Sequence, residues 1–157
     1  MSQKPVTSID VTYNVSVITL NKLPNNIKLI SEVFTSIANE GISIDMISKS
    51  PSVKGNTTVS FTLLYDDLVK AMSCLNKFNE KGCNLSVEID SFNTKFCVFG
   101  KNMKDIPGVA ARLFNVLAEE DIEVKLVTTS ESDISCLINE KDTDKAIACV
   151  KKEFSLD

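Results

Sequence analysis

The chain repeats itself. Residues 29–47 lie over 109–127 at an offset of 80 without a gap. Phe34/Phe114, Ala38/Ala118, Glu40/Glu120 and Ile42/Ile122 are identical pairs, and the apolar positions match almost throughout. After Ser50/Ser130 the first copy carries about five extra residues, around 51–56. The copies then realign at an offset of 75, with Val59-Ser60-Phe61 over Ile134-Ser135-Cys136 and Asp67 to Ala71 over Asp142 to Ala146. A solenoid needs about three or more units to bury a continuous core. Two copies in 157 residues therefore predict a tandem of two small, similar domains. Each holds roughly 70 residues, a size at which a lone core is marginal, so the copies are expected to pack on each other and on a second chain.

The second copy shows the pattern best. A turn at 104–108 leads into an apolar stripe at Val109, Leu113, Leu117 and Ala118, which is the helical period. Pro107 suits a first helical turn, and Gly108 lets backbone N–H groups sit close to whatever docks there. Residues 122–127 then alternate as a half-buried strand does. A loop, a helix N-terminus and a strand end together make a place where a small zwitterion could bind.

Read along the chain, 6–11 is a strand, 12–14 a turn, 15–20 a strand, and 21–26 a loop built on Leu23-Pro24-Asn25-Asn26. Then follow helix 29–40, strand 42–47, a polar loop through Gly55, strand 58–64, helix 66–79 and a short strand at 85–89. The second copy gives strand 95–99, helix 107–120, strands 122–127 and 133–138, and helix 142–153. The first copy is β-α-β-β-α-β. The second lacks its fourth strand, while 6–11 has no partner in its own copy. The expected fold is α+β, with two ferredoxin-like βαββαβ domains in tandem, antiparallel sheets and helices on one face. The N-terminal strand completes the second domain, so the domains are 15–90 and 6–14 plus 91–157.

Composition excludes several functions. A net charge of −4, no Trp and only two Tyr speak against a nucleic-acid-binding sheet. The five cysteines, Cys74, Cys83, Cys97, Cys136 and Cys149, form no C-x-x-C pair and no histidine exists, so no metal site is expected and the thiols read as small buried hydrophobes. No apolar run approaches the ~20 residues of a membrane span and no secretory signal is visible, so a cytoplasmic protein without membrane contact is expected. Asp66-Asp67 and Glu119-Glu120 stand at helix ends with no nucleophile or base beside them, and no catalytic residue is assigned.

Taken together, Pro107-Gly108-Val109-Ala110-Ala111-Arg112-Leu113-Phe114, Thr128-Thr129-Ser130-Glu131 and Asp133-Ile134-Ser135-Cys136 resemble the second of the paired regulatory ACT domains of bacterial aspartate kinases. Val6 to Ile9, Ser43 to Ile47 and Gly55 to Phe61 resemble its lead-in strand and first repeat. The resemblance runs from about residue 6 to 157. It implies ferredoxin-like units paired side by side into a longer sheet, in a homodimer through those sheets. It also implies allosteric feedback control of aspartate-family amino-acid synthesis by lysine or threonine. No cofactor is implied besides this amino-acid effector. The partners it implies are a second copy, the free amino acid, and a kinase catalytic domain or subunit, of which this chain holds no counterpart. The chain is accordingly expected to be an excised regulatory region or a separate regulatory subunit, and not itself an enzyme. An ACT dimerisation or scaffolding module without a ligand is the alternative.

In that family the effector carboxylate meets N–H groups where the first strand turns into the first helix. Its amino group meets carbonyls and an acid on the second strand of a facing unit. Carried onto the first copy, the effector-binding positions are Leu23, Asn25, Asn26, Lys28, Leu29 and Ile30 in the loop, and Ser43, Ile44, Asp45 and Lys49 on the strand. Asp45 faces away from Ile42, Ile44 and Met46, so it could meet an ammonium. Here Ile27-Lys28 replaces the usual Pro-Gly, and Lys28 either crowds a ligand or neutralises its carboxylate. In the second copy Met103, Asp105, Ile106, Gly108, Val109, Ala110, Glu123 and Val124 are ligand or interface positions. Lys125 stands where the first copy has Asp45, and reads as a surface contact or one between units. Thr128 to Glu131 either hydrogen-bonds a ligand or the catalytic domain, or is a plain polar turn.

Overall fold

The computed structural model describes residues 3–157. These residues form six strands and four helices: β1 (Ser8–Pro24), α1 (Ile27–Asn39), β2 (Ile47–Lys49), β3 (Asn56–Leu64), α2 (Leu68–Glu80), β4 (Ser86–Phe99), α3 (Val109–Glu119), β5 (Leu126–Thr129), β6 (Asp133–Asn139) and α4 (Thr143–Phe154). The fold is α+β. It divides into two compact units, a contiguous one, Val15–Phe92, and a discontinuous one that joins the chain up to Asn14 with Asn93–Asp157.

In the contiguous unit the strand order is β2-β3-β1-β4, with β1–β3 and β2–β3 antiparallel. Its core sets Ile18, Leu20, Val59, Phe61 and Leu63 of the sheet against Ile30, Val33 and Ile37 of α1 and Ala71, Cys74 and Leu75 of α2. Both helices therefore cover one sheet face, because their apolar residues recur three or four apart while those of the strands alternate. Phe34 meets Phe61 edge to face, with ring centroids 5.3 Å apart.

In the discontinuous unit the order is β1-β4-β6-β5. Phe96, Val98, Ile134, Cys136 and Ile138 pack on Val109, Leu113 and Leu117 of α3 and Ala146, Val150 and Phe154 of α4. The N-terminal segment closes this core. Val6 is fully buried in it, and Thr7 N–H donates to Phe99 O at 2.8 Å. Beside that bond the chain passes so near residue 100 that a Cβ there would lie 1.8 Å from the Pro5 carbonyl oxygen, so only glycine fits.

Several element boundaries differ from the sequence reading. The expected turn at 12–14 and loop at 21–26 both lie within β1, and the expected strands 85–89 and 95–99 are one strand, β4. Asn14, Lys22 and Phe92 take positive φ (57°, 49° and 63°) and kink the strands without ending them. The kink at Lys22 coincides with a register shift between Leu20 and Leu23 against β3. Strand 42–47 is likewise replaced by β2, Ile47–Lys49. Before it, Thr62 alone opposes two residues: its carbonyl accepts Asp45 N–H (3.1 Å) and its Oγ1 accepts Met46 N–H (2.9 Å), the pairing of a bulge. Strand 122–127 shortens to β5, Leu126–Thr129, in the same way.

Helix α1 starts at Ile27, two residues before the expected start, because Asn26 caps it: its Oδ1 accepts Lys28 N–H at 3.0 Å. Helix α3 starts at Val109 with Gly108 as its cap, so Pro107 precedes the helix and is not in its first turn. The five cysteines are free; Cys74 and Cys136 are buried, whereas Cys83, Cys97 and Cys149 are half-buried. No helix among the described residues is long and apolar enough to cross a membrane.

Candidate functional site

A helix N-terminus leaves unpaired N–H donors and about half a positive charge. The value of the two candidate loops therefore depends on which donors remain unspent. At α1, Asn25 N–H is taken by Gly55 O (2.9 Å), Asn26 N–H by Pro24 O (2.7 Å) and Lys28 N–H by the Asn26 side chain. Ile30 N–H opens the helical ladder on Asn26 O at 3.1 Å. Among the described residues, the N–H groups of Ile27 and Leu29 are left without an acceptor. Leu23 and Ile30 point into the core and are 2% and 7% exposed, so at this loop they offer backbone only. Asn25, Asn26 and Lys28 are exposed, and Leu29 is half-buried.

At α3 the cap is a glycine with no side chain to spend donors on, and Arg112 is the first residue whose N–H is bonded, to Gly108 O at 3.0 Å. Val109, Ala110 and Ala111 thus present three successive donors. Ahead of them a short 3-10 turn, Met103–Asp105, buries Met103 while Asp105 stays exposed. Ile106 is half-buried against the core, Val109 is buried, and Gly108 and Ala110 are open.

The acidic half of the expected site lies elsewhere. Strands β1 and β2 are each antiparallel to β3, so they run parallel, and the start of β2 sits at the far end of the sheet from the β1–α1 loop. Asp45 bonds Thr62, whose partner on β1 is Val17, seven residues before Pro24. At ~3.3 Å per residue that is about 20 Å along the strand. Within this unit, Ser43, Ile44 and Asp45 are therefore not brought to the loop. Lys49 is nearer, at the end of β2, where its Nζ donates to Ser50 O (3.3 Å).

The discontinuous unit repeats this layout. Glu123 and Val124 precede Lys125, whose N–H bonds Leu137 O; Leu137 pairs with Lys95, four residues before Phe99. Lys125 Nζ donates to Asn93 Oδ1 at 2.7 Å, which ties this cation down inside its own unit. Residues 128–131 end in a turn in which Ser130 Oγ donates to Asp133 Oδ2 (2.9 Å) and accepts Ser132 and Asp133 N–H (3.2 Å each). The Ser130 side chain is thus spent on turn formation, while Glu131 meets Lys104 Nζ at 3.5 Å.

Sequence reasoning missed what stands beside each loop. In the contiguous unit it is the tip of the β2–β3 hairpin, at Lys54 and Gly55; in the other it is the β5–β6 turn, where Gly100 N–H donates to Ser132 O at 2.8 Å. The insertion at 51–56 and the Lys54-Gly55 pair were the signals.

A βαββαβ sandwich with two helices on one sheet face is the layout of an ACT-type domain, and the ACT domain family model matches residues 96–154. An aspartokinase of Bacillus sp. (strain MGA3) is 34% identical over 143 residues, covering 88% of this chain and 34% of its own length. A crystal structure of aspartokinase alpha and beta subunits is 30% identical with a TM-score of 0.87, covering 96% of this chain and 99% of that one. A crystal structure of E. coli aspartokinase III in complex with lysine and aspartate (T-state) shares the fold at 21% identity and TM-score 0.73, covering 95% of this chain and 33% of that one. The chain belongs to the aspartokinase family and matches its ACT-domain part. It spans about a third of the length of the curated aspartokinases it matches.

Proposed function

We propose that this chain is the amino-acid-sensing part of an aspartate kinase, an ATP-dependent phosphotransferase on L-aspartate, and that each compact unit is one ACT domain of a tandem. The effector is an end-product amino acid, lysine or threonine, and the control is allosteric feedback. The observation that carries this reading is the pair of helix N-termini with unspent donors, Ile27 and Leu29 in one unit and Val109 to Ala111 in the other. Each can hold a carboxylate without displacing an existing bond. Lysine bound to the related E. coli aspartokinase III supports lysine first.

Because Asp45 lies about 20 Å along its strand from the loop of its own unit, the ammonium-binding acid of a complete site comes from a facing ACT unit. That requirement supports a homodimer joined through the sheets, in the cytoplasm, alongside the kinase catalytic part. A ligand bridging two units favours the arrangement in which both halves of its site are assembled, and shifts the kinase through that difference in affinity. Lys125, held by Asn93, favours a second reading for the discontinuous unit alone: a scaffold that binds no ligand.

Thermal unfolding with lysine, threonine, methionine and glycine added separately decides between them. A ligand at about a hundred times its Kd stabilises by ~2.7 kcal/mol, which raises the Tm of a chain this size by several degrees. A rise with lysine or threonine alone is the expected result. No shift with any of the four sinks the sensor reading and leaves the scaffold.

A further inference from the structure

The five residues that the first copy has and the second lacks form a defined device. Val53 and Asn56 exchange both backbone hydrogen bonds (2.8 and 3.1 Å) around a two-residue turn. Lys54 and Gly55 carry φ of 53° and 80°. Positive φ at both central positions is the signature of a type I′ turn, whose twist matches that of the strands it joins. The base of the hairpin is tied by Thr57 Oγ1 donating to Ser50 O (2.6 Å) and by Thr58 N–H donating to Ser50 Oγ (2.9 Å). After the kink at Lys22, β1 resumes pairing with this hairpin at Leu23↔Thr57 and Pro24↔Asn56. That register carries the Gly55 carbonyl to Asn25 N–H, at 2.9 Å.

Asn25 is therefore anchored by the hairpin on one side, and Asn26 by its own cap on the helix on the other. Ile27 and Leu29, whose donors are unspent, follow directly. We propose that Gly55 and its hairpin position the effector loop: the Gly55–Asn25 bond fixes the direction of the Ile27 and Leu29 N–H groups and so sets effector affinity, although the hairpin itself donates nothing to the ligand. This inference rests on the reading of the β1–α1 loop as the effector's carboxylate seat. It gives the insertion a role in the first repeat, where the glycine-bearing Pro-Gly of the second repeat is absent. The second repeat makes the matching bond without the insertion, Gly100 N–H donating to Ser132 O at 2.8 Å, and there Gly108 caps the helix.

The test uses the full chain and three substitutions in the turn. Gly55→Val forces a β-branched residue to positive φ and opens the turn, Gly55→Ala does so more mildly, and Lys54→Gly keeps the type I′ geometry. Amide exchange at Asn25 and calorimetric affinity for lysine and for threonine are measured on each. Gly55→Val should speed Asn25 exchange about tenfold and weaken binding of the responding amino acid about tenfold, with Gly55→Ala between it and the unaltered chain. Lys54→Gly should leave both within about twofold. Exchange at core amides of β3 shows that each variant is folded. Faster Asn25 exchange with unchanged affinity overturns the proposal, and so does unchanged Asn25 protection in Gly55→Val. If the unaltered chain binds neither amino acid, the carboxylate-seat reading fails and the proposal falls with it. Unaltered binding in the variants of a chain that does bind defeats the positioning role alone.

Discussion

Cys136 lies fully buried on β6, and burial, with Cys97 adding a smaller push, raises its thiol from 9.0 to about 12. In the unfolded chain the same thiol ionises near its ordinary value. Between those two values the unfolded state releases a proton that the folded state keeps. The stabilisation is thus intact below about pH 9 and is lost as pH rises toward 12, by up to ~1.4 kcal/mol per unit from this one group. Denaturant midpoints measured at pH 8 and pH 10 should fall in the native chain. Cys136→Val, which keeps an apolar side chain of similar size, should show a shallower fall. Equal slopes in the two proteins would mean that the thiol is not responsible. That Cys136 is a packing residue was legible from its place among Val59-Ser60-Phe61 equivalents; the half-exposure of Cys97 and Cys149 was not, since it depends on neighbours in space.

Helix α1 illustrates what local sequence does and does not determine at the scale of an element. Asn26 reads as turn chemistry in the sequence and the repeat aligns from residue 29, whereas the helix begins immediately after Asn26. The Asn26 side chain caps it. Asn26→Ala should cost about 1 kcal/mol of stability, read as a lower urea midpoint; an unchanged midpoint would show that the cap is immaterial. The repeat made the order of elements legible, because helical and strand periods recur 80 residues apart. Strand lengths were not legible. A positive φ at Asn14, Lys22 or Phe92 looks like a turn in sequence, but ladder bonds to a neighbouring strand carry the chain through it. The bulge opposite Thr62 was equally hidden, since it depends on which residue that threonine faces.

On the scale of the molecule, the unit that contains both chain ends depends on a segment remote from the rest of it. Val6 fills its core, Thr7 bonds Phe99, and Lys4 Nζ reaches Ser155 O at 3.2 Å. Removing residues 3–11 should strip amide protection from β6 and α3 while β3 and α1 keep theirs. Burial of Val6 alone is worth about 1.5–3 kcal/mol, before the lost strand bonds are added. Uniform loss of protection, or none, would contradict the division into two units. The separation of Asp45 from its own loop follows from the parallel course of β1 and β2.

The discontinuity also sets an order of events. Joining Thr7 to Phe99 closes a loop of 92 residues, whereas every pairing of the 15–92 unit is made inside one uninterrupted stretch. The contiguous unit has a long closure of its own, Ser16 to Ser91 across 75 residues, but it needs nothing beyond residue 92. As the polypeptide emerges from a ribosome, the middle of the chain can complete its structure while the first strand waits for a sheet that has not been made. Until β6 and α4 arrive, Val6, Ile9 and Val11 travel uncovered, and this interval is where the nascent chain is most exposed to misassociation.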